Sequence, residues 1–219
     1  MNAEVADEPI EEGSIEIPSL PHVRLNLEER SVDVDAVVCL NDGMLELIAC
    51  TKGTKEHESI LAIEAKARDV HMMLLLLGAK AGSPPRLVPI DEAKTRFRDY
   101  PARGSAIDVS LIVTGEDGES TERPISDFIR HKDGDAFPEQ AFVFAGSAIV
   151  PNPNEEASLY VADQTGHVIT LASFGDELLA QAKSASHANE HLTWEVNPEI
   201  LPDVGEEIIL RLRPRALEP

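Results

Sequence analysis

The sequence predicts an α+β fold dominated by antiparallel sheet, with one buried central helix. Three observations carry this. Short stretches alternate apolar and polar residues with a period of two, the pattern of half-buried strands. One run, Ala67 to Leu77, is apolar almost all round at helical spacing, as in a helix enclosed by a core. Strands and helices do not alternate regularly, which argues against a doubly wound parallel sheet.

Taken in order, Val23, Leu25 and Leu27 alternate with Arg24, Asn26 and Glu28, and Val32, Val34 and Ala36 continue the alternation. Val37 to Leu40 and Leu45 to Cys50 flank Asn41-Asp42-Gly43, a turn signal that predicts a β-hairpin. With the turn centred there, Cys39 faces Leu45 and Cys50 faces Val34. That separates the two cysteines of the chain by about 17 Å along the ladder, too far for a disulfide, so two free thiols are expected. Ile60 to Ala65 reads as a further strand. In the helix, Val70, Met73, Leu74 and Leu77 keep helical spacing while Met72, Leu75 and Leu76 fill the other side. Gly78 is placed to end it.

Residues 83 to 106, rich in Pro and charge, read as an excursion from the main sheet, with a short helix from Asp91 to Arg98. Ile107, Val109, Leu111 and Val113 alternate again. Pro124 to Ile129 fits a short helix with Pro near its start. Ala141 to Val150 is a strand interrupted at Gly146-Ser147. Ser158 to Ala162 and His167 to Leu171 flank Gln164-Thr165-Gly166 as a second hairpin, and Asp176 to Ala182 suggests another short helix. Thr193 to Val196 and Ile208 to Leu212 close the chain as strands.

The 219 residues carry 40 acids against 19 Lys and Arg, a net charge of −21. Phosphate backbones and anionic membranes are held by clustered Lys and Arg, so nucleic acid is excluded as a partner. The longest apolar run, Met72 to Leu77, is far short of the roughly 20 residues of a spanning helix. Residues 1 to 12 hold five acids and no Lys or Arg, the composition of a disordered acidic tail. Nothing there has the basic start and apolar core of a signal peptide. The expected location is therefore the cytoplasm, or the envelope if an export signal has been removed.

Signatures for dinucleotides, phosphate loops, serine nucleophiles, zinc and calcium are missing, and no cofactor is expected. What remains is Gly53-Thr54-Lys55-Glu56-His57-Glu58-Ser59, followed by His71 in the helix. Imidazole beside carboxylate serves as base and orienter or as a pair of metal ligands. The same residues also make an ordinary solvated turn. A metal shared by His57 and His71 is disfavoured, because strand and helix rise leave them roughly 14 Å apart. Level with His57 come residues near Lys80 instead. The expected patch is therefore two Gly-containing loops, Gly53, Lys55, Glu56, His57, Glu58 and Ser59 on one side and Gly78, Lys80 and Gly82 on the other. His57 and Glu58 are its candidate metal ligands. His71 reads as a core histidine, Trp194 as a core anchor, and His187 with His191 as a weak metal candidate.

The segment Gly53 to Ser59, with His71 and Leu74-Leu75-Leu76-Leu77-Gly78-Ala79-Lys80-Ala81-Gly82 behind it, resembles the YdjY-domain proteins of bacteria. Phe142 to Ser147, Gly166 to Thr170 and Leu201 to Gly205 follow the same pattern. The similarity spans about residues 20 to 213 and implies one domain over 13 to 219. The family is of uncharacterised function, so the resemblance supplies no catalytic residues. Some relatives accompany iron–sulfur modules, but this chain lacks the cysteines for such a cluster. The reading is an accessory or binding module presenting the two-loop patch to a ligand or protein partner. The alternative is a metal-dependent or His/Glu-based hydrolase using the same patch.

Overall fold

In the computed structural model the described residues are 19–93, 95–115, 117–138, 141–153, 158–182 and 192–216. The acidic tail and the pair His187 and His191 lie outside them.

The alternating segments become strands β1 (Val23–Asn26), β2 (Ser31–Val38), β3 (Leu47–Thr51) and β4 (Ser59–Ile63), followed by helix α1 (Ala67–Leu76). The excursion forms β5 (Ala81–Ser83), β6 (Arg86–Pro89), β7 (Phe97–Tyr100) and β8 (Arg103–Gly104). Beyond it come β9 (Ala106–Thr114), β10 (Ser120–Pro124), β11 (Ile129–His131), β12 (Phe142–Phe144), β13 (Ile149–Val150) and β14 (Leu159–Tyr160). Helix α2 (Val161–Thr165) then leads into β15 (His167–Thr170), β16 (Leu179–Gln181), β17 (Trp194–Val196) and β18 (Glu207–Pro214).

Eight of these strands close on themselves in the order β2-β18-β9-β12-β16-β15-β3-β4, and β4 returns to β2. The pairs β3–β4 and β15–β16 are parallel and the others antiparallel. The molecule is thus mostly β, 44% strand and 12% helix, built on a closed eight-stranded barrel. This overturns the α+β reading with its central helix. Closure removes the free edges an open sheet would expose, and Val32, Val34, Leu61, Leu111, Phe142, Ile169 and Leu210 fill one continuous core.

Helix α1 forms where the spacing placed it but does not sit at the centre. Ala67, Val70, Met73 and Leu74 are buried, whereas Leu75 and Leu76 are 47% and 43% exposed. One apolar stripe packs against β1, β2 and α2, and the other leucines face solvent. Gly78 stops the helix at φ 84°, donating to Leu75 O.

The hairpin around Asn41-Asp42-Gly43 does not form. Strand β4 inserts between β2 and β3, pairing antiparallel with one and parallel with the other. The turn reverses the chain, but the vacated ladder position is filled by a later strand. Cys39 and Cys50 are free as expected, yet both flank β4 and pack into one small cluster with Leu47 and Ala62.

Three expected local elements also differ. Asp91 caps a turn, accepting from Thr95 N–H and Arg96 N–H at 2.9 and 3.0 Å, so Asp91 to Arg98 is the bend of the β6–β7 hairpin. The stretch before Gly166 is α2, ended by Gly166 at φ 82°, so no hairpin is centred there. The Asp176 to Ala182 segment enters the barrel as β16 because Leu178, Leu179 and Ala180 are all buried.

Candidate functional site

The loop from β3 to β4 is tied internally. Thr54 Oγ1 donates to Thr51 O at 2.5 Å, the Glu56 carboxylate accepts Gly53 N–H, and Glu56–Glu58 forms a single 3-10 turn. The turn sends the three charged side chains in different directions. Lys55 Nζ and Glu58 Oε1 pair at 2.5 Å, with Glu58 15% exposed. His57 points outward, its side chain 75% exposed and its Nε2 3.7 Å from Glu58 Oε2.

Behind that pair lies a buried polar group that the sequence reading missed. Glu46 is 2% exposed, and its N–H donates to Glu58 O at 3.1 Å. Burial, then the neighbouring Glu58 charge, pushes the Glu46 carboxyl above its usual range. Lys55 lies 5.9 Å over the Phe174 ring. Phe174 in turn stacks on His167, with centroids 4.0 Å apart. His167 Nδ1 meets Asp176 Oδ1 at 2.5 Å, which orients the ring. Its Nε2 is buried with no hydrogen-bond partner among the described residues.

The loop from β15 to β16 is held from within. Glu177, fully buried, accepts Phe174 N–H and also Gly175 N–H at 3.0 Å, and burial pushes its carboxyl up. Ser147 Oγ donates to Asp176 O at 2.6 Å, from the left-handed pair Gly146 and Ser147. Two acceptors stay unpaired among the described residues, Glu46 Oε2 and Glu177 Oε2, with the hydroxyls of Ser59 and Thr170. Buried polar atoms are nearly always satisfied, so this concentration is unusual. The signal available in the sequence was a histidine inside an apolar strand, His167-Val168-Ile169.

The second predicted loop is anchored at Ser105. Lys80 N–H donates to Ser105 Oγ and its carbonyl accepts Ser105 N–H, both at 2.9 Å. Gly82 sits so close to Arg103 that a Cβ would overlap the Arg103 carbonyl oxygen. Among the described residues no hydrogen bond, ion pair or ring contact joins Gly53–Ser59 to Gly78–Gly82. The arm that Gly82 begins faces the Ser173–Gly175 segment instead. A groove of about 390 Å³ runs between Pro85–Val88 on the arm and Ser173–Gly175, with Phe174 shared between groove and polar cluster.

The arm combines exposed apolar side chains with an excess of basic residues. Leu87, Val88, Ile90 and Phe97 are 39–51% exposed. Residues 80–103 contain six basic residues, Lys80, Arg86, Lys94, Arg96, Arg98 and Arg103, against three acids, in a chain of net charge −21. Arg86 lies 5.8 Å over Tyr100.

Among the described residues no group of three His, Cys, Asp or Glu side chains is placed to hold a metal ion, and no helix is long and apolar enough to cross a membrane. No curated protein and no solved structure gives a significant match to the chain. A family model, the YdjY domain, matches residues 23–213. With most of its length covered by that match, the chain belongs to the YdjY domain family.

Proposed function

We propose that this chain is a binding module. Its contact face runs from the Lys55–Ser59 loop across Phe174 to the arm that starts at Lys80 and Gly82. The observation that carries this is the arm: four large apolar side chains left in water and interspersed with arginine. The β6–β7 ribbon leaves large apolar side chains exposed on both faces, and Arg with aromatic residues is the composition of interface anchors. A two-stranded ribbon is marginally stable in water by itself, so a partner laid along it would also stabilise it. The excess of basic residues on an acidic chain favours an acidic protein segment as that partner. It disfavours anionic membranes, which the rest of the surface repels.

Photo-crosslinking tests this reading. A photoreactive residue at Leu87 or Phe97 is expected to give one discrete protein adduct in cells, lost when Arg86 and Arg98 are both changed to Glu. Adducts equally abundant from Leu27, exposed on the unrelated strand-end turn, would overturn it.

A second reading, a His/carboxylate hydrolase, is favoured by one observation. Asp176 orients His167 and leaves Nε2 unpaired, the arrangement of a general base with its orienter. It shifts the candidate base from His57, which is solvated, to His167. Hydrolysis of a panel of activated esters and amides that disappears in His167→Asn would support it, and no turnover by the wild type would eliminate it.

A further inference from the structure

The β6–β7 ribbon sorts its side chains by charge. Its register pairs Arg86 with Tyr100, Leu87 with Asp99, Val88 with Arg98 and Pro89 with Phe97. Ile90 N–H donates to Arg96 O at 2.9 Å, which continues the ladder to the next pair. Paired residues share a face and successive residues alternate. One face therefore carries Arg86, Arg96 and Arg98 around Val88, Ile90 and Tyr100. The other carries Leu87, Pro89, Phe97 and Asp99. Val88 and Ile90 are 39% and 49% exposed, so the arginine face is open to solvent. Elsewhere Arg24, Arg68, Arg130, Arg211, Arg213 and Arg215 each already hold a carboxylate. On the ribbon Arg96 is 3.7 Å from Asp91. Arg86 lies over the Tyr100 ring, and neither it nor Arg98 pairs with an acid among the described residues.

Such a face fits an anionic occupant that also brings apolar side chains, and the chain supplies one. Residues 1–18 precede the described structure and hold six acids with no Lys or Arg. Among them Glu4, Asp7, Glu8, Glu11 and Glu12 are interspersed with Val5 and Ile10. We propose that residues 4–12 lie on the arginine face of the ribbon in the same molecule. Their carboxylates meet Arg86, Arg96 and Arg98, and their apolar residues lie beside Val88 and Ile90.

Reach allows this. Leu20 is fixed by its bridge to Val23, and β1 packs against α1, the helix that leads into the arm. That helix of 10 residues spans about 15 Å. The chain from Leu20 back to Glu12 extends up to about 28 Å, and back to Glu4 about 56 Å. Tethering also gives the segment an effective concentration of about millimolar, which favours it over the same segment of a second copy. The inference rests on the reading of the arm as a contact face and names what holds that face. An acidic partner would have to displace residues 4–12.

The test uses the full chain, purified and dilute, with a photoreactive residue in place of Val88 and, in a second preparation, of Ile90. After irradiation, peptide mapping should find a link from the ribbon to residues 4–12 in a product of single-chain mass. Glu8→Gln, Glu11→Gln and Glu12→Gln together should remove that link. Salt near 1 M, where the screening length falls to about 3 Å, should do the same. Without any photoreactive residue, the triple variant should exchange amide hydrogens faster at β6 and β7 than the wild type, while β2 and β18 keep their protection. Three results would overturn the inference: no link to residues 4–12, a link only in products of twice the chain mass, or a link that survives removal of the three acids. If the link is absent while Leu87 still captures a protein in cells, the contact-face reading stands and this inference alone fails. If the link forms and Leu87 captures nothing, the arm serves its own segment and the reading of a separate partner fails.

Discussion

Arg211 grips Asp33 through two hydrogen bonds of 2.7 Å, Nε to Oδ1 and Nη2 to Oδ2, directly across the β2–β18 ladder. The same guanidinium reaches Glu122 Oε2 at 2.9 Å. Glu122 Oε1 also accepts from Arg213 Nη1 at 2.9 Å and from the Ser110 hydroxyl at 2.7 Å. Four strands, β2, β18, β9 and β10, are thereby joined by one charged network on the barrel wall.

Arg213 first, then Ser110 and Arg211, hold the Glu122 carboxyl down to about 2. A carboxyl depressed by folding contributes stability that is complete above its ordinary range near 4.5 and lost as pH falls toward 2. The full shift corresponds to about 3 kcal/mol. Because the side chain is 31% exposed, solvent screening reduces the expected contribution to about 1–2 kcal/mol. Urea denaturation across that interval should show this loss, and Glu122→Gln should flatten the pH dependence by the same amount. An unchanged slope in the variant would remove Glu122 as its source.

The strands whose register is set by alternation were legible in the sequence. β1, β2, β9 and β18 all show it, because one face is buried and the other wet. The closure was not legible. β4 enters between β2 and β3, and β15 pairs parallel with β16, and such distant pairings leave no local pattern. Asn41-Asp42-Gly43 says that the chain turns but not which strand it returns beside. At the site, Lys55 and Glu58 stood out because they are charged residues in a polar loop. Glu46, His167 and Phe174 did not, because each sits in or next to an apolar run. The arm was recognised as an excursion, but its Pro-rich composition concealed four short strands, β5 to β8.

The one-sided burial of α1 gives two opposite expectations. Leu74 is fully buried, so Leu74→Ala should cost about 2–5 kcal/mol through lost packing and the cavity left behind. Leu75 is half-exposed, so Leu75→Ala should change stability by no more than about 0.5 kcal/mol. Equal losses in denaturant melts would mean that the helix is enclosed on both sides after all.

His71 and Tyr160 form a buried polar relay. Tyr160 OH donates to Gly146 O at 3.1 Å, so the neutral His71 donates from Nδ1 to the Tyr160 hydroxyl oxygen at 2.8 Å. Burial lowers the His71 pKa from its usual value near 6.5. A base depressed by folding leaves the unfolded chain binding more protons, so this contribution is present above pH 6.5 and lost as pH falls below it. Tyr160→Phe strands both His71 Nδ1–H and the Gly146 carbonyl, and should cost about 1–3 kcal/mol. In a pH-dependent NMR titration the His71 ring should remain neutral to a pH below the usual imidazole value near 6.5.

Gly82 separates a structural from a binding role at the root of the arm. Its Cα faces Arg103 across the β5–β8 ladder, where an added Cβ would collide with the backbone. Gly104, at φ 143°, is likewise pressed against the Phe144 carbonyl. Backbone, unlike the end of a flexible side chain, cannot move aside cheaply, so Gly82→Ala should destabilise the arm root by about 1–3 kcal/mol. Hydrogen exchange should then quicken at amides of β5 and β8 while β2 and β18 keep their protection. Gly53, at φ 84° in open space, lacks such a neighbour, and Gly53→Ala should cost only about 1 kcal/mol of backbone strain. If the arm is the contact face, Gly82→Ala should weaken crosslinking from Leu87, whereas Gly53→Ala should leave it intact. The reverse order would transfer the contact to the Lys55 loop alone.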